Sequence, residues 1–395
     1  MTGSPASSAS IIGIGTAVPP TVLAQQAVRD LFAAQPDTAR VTQRIIGAAF
    51  DQSAIDTRHT VLPELVSGGS AFIDERTRRV LSPATGARND VYVREAPPLF
   101  AAAARDALDR AGVQAADVTH VVTASCTGFF APGPDFRLVR DLGLRTTVSR
   151  EHLGFLGCAA ALPALRSAAR ICAADPSALV LVVCAELCTI HLRSSHDPDQ
   201  IVSAAVFADG AAAAVVSASP AAGAPRLDLD RFATAITEDG EAAMGWTIGD
   251  HGFEMTLTAE VPRVVGREMR AALAPVLDDA SAAGATGTGA GLLWAVHPGG
   301  RSILDRAEAA CGLDPTALRH SRDVLREYGN MSSATILFVL QRMLDDPDAA
   351  DGAPLIAVAF APGLTVESAR MTVRAGTTSA VDMVRDARDA VPADA

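Results

Sequence analysis

Three observations predict an α/β fold for this chain. Short apolar runs of strand length alternate with longer amphipathic stretches along most of its 395 residues. Hydrophobic residues make up 49% of the sequence, yet only 4% is aromatic and much of the rest is Ala, which suits helices packed closely on a sheet. The order of elements also recurs after a Ser/Ala/Gly/Pro-rich break at 217–225, as a duplicated core would require.

The elements follow in order. Residues 11–14 read as a first strand, ended by Gly15 and the Pro19-Pro20 pair. Residues 61–90 are polar and turn-rich, a surface excursion. Residues 99–111 have helical spacing and stop at Gly112. A buried strand at 118–124 leads into Ser125-Cys126-Thr127-Gly128, and a small-residue helix follows Gly157-Cys158. Strands at 178–185 and 211–216 complete the first half. The second half repeats the theme with a helix at 261–277, a Gly/Ala loop at 281–290, a strand at 292–296 and a helix at 301–311. A helix beginning near Asn330 and a strand pair at 355–360 and 365–373 close it. The division expected is 1–220 and 221–395. The tail from 380 is polar and expected to fray.

Net charge is −12, which argues against a nucleic-acid surface. All 33 basic residues are arginine. With no lysine, the chain has no Schiff-base lysine and no Walker-type phosphate lysine. No window holds about 18 uninterrupted apolar residues, so no membrane span is expected. The first ten residues lack the pattern of a signal peptide, and the chain reads as cytoplasmic. The six cysteines show neither Cys-x-x-Cys pairs nor zinc-ligand spacing, so no metal is expected. Cys172, Cys184 and Cys311 read as small buried hydrophobes.

Three motifs carry chemistry. Cys158 is delivered by Gly154-Phe155-Leu156-Gly157 into a run of alanines, and a helix N-terminus favours a thiolate. His297 opens His-Pro-Gly-Gly after the apolar run at 292–296. Asn330 stands in Tyr-Gly-Asn-Met-Ser-Ser. A thiol can hold an acyl group as a thioester. An imidazole and an amide can both donate to a developing enolate oxygen without adding negative charge. The set needs neither a metal nor a redox cofactor, and the thiol beside an imidazole is expected to titrate below a free cysteine.

Together these motifs resemble the Cys-His-Asn triad of the type III polyketide synthases, the chalcone and stilbene synthase relatives among thiolase-like condensing enzymes. The resemblance spans about residues 11–375 and includes Phe207-Ala208-Asp209-Gly210-Ala211-Ala212 and the 359–367 block Ala-Phe-Ala-Pro-Gly-Leu-Thr-Val-Glu. It implies a thiolase-like fold of two pseudo-duplicated mixed-sheet halves in five layers (αβαβα), and a cytoplasmic homodimer. The substrates it implies are acyl-CoA and malonyl-CoA, with no cofactor beyond these thioesters; Asp56, at a basic position of the family's CoA region, leaves delivery by an acyl carrier protein as the alternative.

Phe207 matches an aromatic gatekeeper between CoA tunnel and cavity. Met255 replaces a second gatekeeper Phe, and Trp246 stands where the plant enzymes have Gly. Cys126, Cys188, His191 and Ser332 fall at cavity-lining positions, Pro362 and Gly363 in an active-site wall loop, and Arg58 in a region that meets CoA phosphates. Two glycines of that wall loop are alanines here, which questions positive φ at Ala359 and Ala361. Residues 245–257 are similar to bacterial alkylresorcinol and alkylpyrone synthases, and other segments also to tetrahydroxynaphthalene synthases. The implied reaction is decarboxylative condensation of an aliphatic starter with several malonyl units, ending in an alkylresorcinol or alkyl-α-pyrone. A ketoacyl-carrier-protein synthase III-like single condensation and a synthase using malonyl-CoA alone are the alternatives. Hydroxymethylglutaryl-CoA synthase fits less well, because Glu151 lacks a convincing context near the Cys.

Overall fold

The computed structural model describes residues 9–277 and 291–376. The Gly/Ala loop at 281–290 and the polar tail from 380 lie outside them. The strands are β1 (Ser10–Ala17), β2 (Thr21–Ala24), β3 (Thr57–Thr60), β4 (His120–Ser125), β5 (Ser149–Gly154), β6 (Leu179–Leu187) and β7 (Asp209–Ser217), then β8 (Arg226–Ile236), β9 (Met244–Gly249), β10 (Gly252–Leu257), β11 (Leu293–Val296), β12 (Pro354–Ala361) and β13 (Thr365–Arg374). Nine of them form one mixed sheet in the order β11-β12-β13-β8-β1-β7-β6-β4-β5. Strands of the two halves meet where β1 pairs β8, at Ser10–Asp228 and Ile11–Leu227.

Between the two halves of this surface lie the helices Ala161–Ala174 and Thr335–Leu344, buried together with the inner faces of β1, β4, β6, β7, β12 and β13. Helix Thr85–Ala111 covers the outer face of the first half. Helices Val261–Ala272 and Arg301–Cys311 cover that of the second. The layers run helix, sheet, helix, sheet, helix, which is the thiolase-like arrangement.

Small residues permit this closeness. A Cβ on Gly15 would lie 2.1 Å from Ala107 N, and one on Gly13 would lie 2.7 Å from Ala111 N, so β1 touches the backbone of helix Thr85–Ala111. That helix is longer than its apolar spacing at 99–111 suggested and contains Pro97 and Pro98. The carbonyls these prolines leave unpaired belong to Val93 and Arg94, which are exposed, so water can take them. Gly112 ends it in the left-handed conformation, φ 65°. The amphipathic helices at 25–33, 40–51, 134–142, 198–206 and 319–328 and the β9–β10 hairpin complete the chain. Among the described residues no helix is long and apolar enough to cross a membrane.

Candidate active site

Cys158 sits in the 3-10 turn Gly157–Ala159, just before helix Ala161–Ala174. The turn is strained on approach. Phe155, not a glycine, holds φ 57°, and Gly157 holds φ 61°. Only glycine fits at 157, because a Cβ there would meet Pro362 Cδ at 2.4 Å.

His297 directly follows β11, and its backbone N–H donates to Val358 O at 2.8 Å. The ring is buried and neither nitrogen makes a hydrogen bond among the described residues. Asn330 follows Gly329 and is tied to the end of helix Pro198–Val206. Its N–H donates to Val206 O (2.9 Å) and its carbonyl accepts from Ala208 N (2.8 Å). Its side-chain oxygen accepts from Ser332 N at 2.8 Å, which orients the amide. The amide lies 3.9 Å from Cys158 Sγ. Residues far apart in sequence thus reach one wall: Cys158, His297 and Asn330 all border the larger of two connected cavities.

That outer cavity has a volume of about 960 Å³ and opens past helix Arg40–Asp51. The inner one is small, about 50 Å³. Cys158, Phe207, Met244 and Met255 border both and form the throat between them. Phe207 and Met255 therefore stand at a gate, and Met244 joins them.

One side of the inner wall is a cluster of rings. His191 stacks on Phe253 at 4.4 Å, and Trp246 meets both edge-on at 5.6 and 5.7 Å. Cys126, Cys188, Ser332 and Pro362 also border this space. Gly363 does not; its φ of 71°, with 49° at neighbouring Leu364, instead turns the chain behind Pro362. Ala359 and Ala361 keep extended strand backbone, so the positive φ questioned there falls at 363–364.

Burial works against charge throughout. It pushes the Cys158 thiol up to about 11, opposed by hydrogen bonding to Ser332 and Asn330. It pulls His297 down to about 3. Each group alone is neutral at pH 7, and burial sets the thiol above a free cysteine, not below it as the sequence led one to expect. His191 is also pulled to about 3 by burial. Its ring is fixed by Thr127 O (2.7 Å) and the N–H of Phe253 (3.0 Å), so it lines the cavity with both nitrogens occupied.

Arg58 is a correction. It was expected at the CoA phosphates, but its side chain is fully buried and bonds Ala204 O and Phe207 O. β3 carries it inward beneath the gate. The arginine that borders the outer cavity is Arg301, which pairs with Asp305 at 3.4 Å. Helix Arg40–Asp51 presents Ile45, Ala48, Ala49 and Gln52 to the same opening.

Glu186 was missed. Its buried carboxylate gathers Ser125, the Cys126 N–H and thiol, Thr127 and Ser333. Burial raises its pKa. An acid at the end of the otherwise apolar strand β6 was the available signal. Cys172, Cys184 and Cys311 are buried free thiols, as expected.

The layered mixed-sheet fold is that of a thiolase-like protein. The chain belongs to the chalcone and stilbene synthase family. Residues 2–220 match the model of the N-terminal domain of chalcone and stilbene synthases, and 229–375 that of the C-terminal domain. It is 32% identical over 361 residues to Probable polyketide synthase 1 of Dictyostelium discoideum, covering 90% of this chain but only 11% of that protein. Among solved structures it is similar to the C-terminal type III polyketide synthase domain of Steely1, a type I/III hybrid from Dictyostelium, at 30% identity and TM-score 0.82, covering 93% of this chain and 99% of that one. PKS-I from the brown alga Ectocarpus siliculosus gives 26% and 0.84, covering 93% and 98%. The fungal type III polyketide synthase ORAS gives 28% and 0.80, covering 93% and 100%.

Proposed function

We propose that this chain is a type III polyketide synthase that loads an acyl group from CoA onto Cys158 and extends it with malonyl-CoA. The observation that carries the reading is the convergence of Cys158, His297 and Asn330 on one cavity, with both imidazole nitrogens unengaged among the described residues. The malonyl carboxylate leaves as CO₂ and its bonding pair becomes an enolate. A ring N–H of His297 and the Asn330 amide donate to the enolate oxygen. The enolate carbon then attacks the Cys158 thioester, and the thiolate leaves. Neither donor carries a negative charge, so the site favours the charge that develops.

The starter is a medium or long aliphatic acyl group, with an acyl carrier protein as a second possible source. Two methionines in the throat, Met244 and Met255, adapt to such a chain. An inner space of about 50 Å³ favours few extensions before closure to an alkylresorcinol or alkyl-α-pyrone. The same small space favours one second reading, a single condensation as in ketoacyl-carrier-protein synthase III.

The protein acts as a cytoplasmic homodimer in this reading. Strand β5 leaves one edge of the nine-stranded sheet unpaired and exposed, ready for a second copy. Mass spectrometry of the products from a panel of acyl-CoA starters with malonyl-CoA tests the function. Products carrying two or more malonyl units support it; one unit at most, from every starter, overturns it.

A further inference from the structure

Arg58 is a buried cation for which the condensation chemistry has no use, yet it touches both partners of the contact that joins gate to amide. From β3 it enters the core, with no exposed surface. Its Nη1 donates to the carbonyls of Ala204 (2.9 Å) and Phe207 (2.6 Å), in the last turn and at the cap of helix Pro198–Val206. Such carbonyls have no partner within the helix, and a cation suits that end. On its other side the stem lies against Gly329: a Cβ there would be 2.8 Å from Arg58 Cγ and 2.9 Å from Cδ.

Phe207 and Asn330 themselves form a parallel bridge, closed by Ala208 N to Asn330 O and Asn330 N to Val206 O. One side chain therefore holds the carbonyl of the gate and backs the residue before the amide.

The guanidinium is costly where it sits. Nε and Nη2 make no hydrogen bond among the described residues. The face of Phe50 lies 5.8 Å away, and the charge that favours the cation is Asp209, itself held by Val61 N, Thr189 N and Thr189 Oγ1. Burial lowers Arg58 to about 10, so it remains charged at neutral pH. An apolar side chain of similar bulk would fill the space without an unsatisfied donor. What the guanidinium adds is the pair of bonds to the helix end.

We propose that Arg58 is a positioning residue, which sets the Phe207 gate and the Asn330 amide at a fixed distance from each other and from Cys158. The proposal rests on the role given above to Asn330. Cys158 is carried by a different segment, the turn Gly157–Ala159. Loss of the clamp should therefore spare acyl loading and damage the step that uses the amide.

The test measures two rates on the same preparations: acylation of Cys158 by an acyl-CoA, followed by intact-protein mass, and decarboxylation of malonyl-CoA, followed by CO₂ release. Arg58→Met should lower the decarboxylation kcat about 100-fold, the loss expected of a misplacement of about 1 Å. KM and the loading rate should change less than about threefold on the same argument. Arg58→Lys keeps the charge but ends one bond short of Nη1, and should recover part of the loss. Where Arg58→Met does not fold, Phe50→Leu withdraws the ring beneath the guanidinium and should give the same split at smaller size. Equal loss of both rates, or loss of neither, would overturn the proposal. Asn330→Ala serves as reference. Wild type without decarboxylation would refute the enzymatic reading itself, whereas active wild type with unaffected Arg58 variants refutes only this role.

Discussion

Trp246 donates its indole N–H to the carbonyl oxygen of Cys126 at 2.7 Å, tying the β9–β10 hairpin to the loop that leaves β4. The bond fixes the indole across the inner cavity, edge-on to the stacked pair His191 and Phe253. The small size of that cavity is thus set by a ring held at both its polar and its apolar side.

Trp246→Gly should enlarge the inner cavity and shift products toward a longer starter or at least one more malonyl unit, at a cost of about 3 kcal/mol in stability. The check is the product mass distribution of the variant against wild type with one starter. An unchanged distribution would mean that the indole does not limit the chain.

Acid should destabilise the fold through its two buried imidazoles. His191 and His297 are pulled to about 3 in the folded state, both by burial, against about 6.5 unfolded. Folded pKa below unfolded means that the unfolded chain gains protons first. Stability is therefore full above pH 6.5 and declines as pH falls toward 3. At pH 4.5 each contributes a loss of about 3 kcal/mol. Urea unfolding at pH 7.5 and 4.5 measures this, and His191→Phe should reduce the difference by about 3 kcal/mol. A variant with the wild-type pH dependence would contradict the assignment.

The thiol requires a proton acceptor. Burial holds Cys158 and His297 each neutral when taken singly, so a thiolate near neutral pH is expected only as an ion pair in which thiolate and imidazolium stabilise each other. The rate of iodoacetamide alkylation at Cys158 should rise with pH, and His297→Ala should move the midpoint upward. A midpoint that ignores His297 would exclude the pair.

Much of the site was legible because each of its chemical residues follows a local signal. Cys158 and Asn330 each follow a glycine with positive φ, and His297 directly follows a buried strand. Those signals are short-range and survive in the fold. Arg58 was misread because its environment is made by Ala204, Phe207 and Gly329, more than a hundred residues away, and nothing adjacent marks it as buried. The reach of helix Thr85–Ala111 was missed for a similar reason. Pro97 and Pro98 argue locally against it, and packing on β1 overrides them. The size of the inner cavity depends on side-chain orientation at Trp246 and Phe253, which no spacing encodes.

Close contact between β1 and helix Thr85–Ala111 has a direct consequence. Gly15→Ala would drive a Cβ to 2.1 Å from backbone nitrogen and 2.5 Å from the Ala103 carbonyl oxygen, neither at the end of a flexible side chain. A loss of about 3 kcal/mol is expected, read as a lower urea midpoint with unchanged slope. A wild-type midpoint would show that the helix moves freely off the sheet.

The central claim is that Cys158 carries the acyl chain while His297 and Asn330 stabilise the enolate. Cys158→Ala separates these roles in one preparation, given acyl-CoA and malonyl-CoA, with condensed product and CO₂ measured together. The account predicts no condensed product and continued release of CO₂, because the two donors remain in place. Condensed product from the alanine variant, carried on Cys126 or any other thiol, would contradict it.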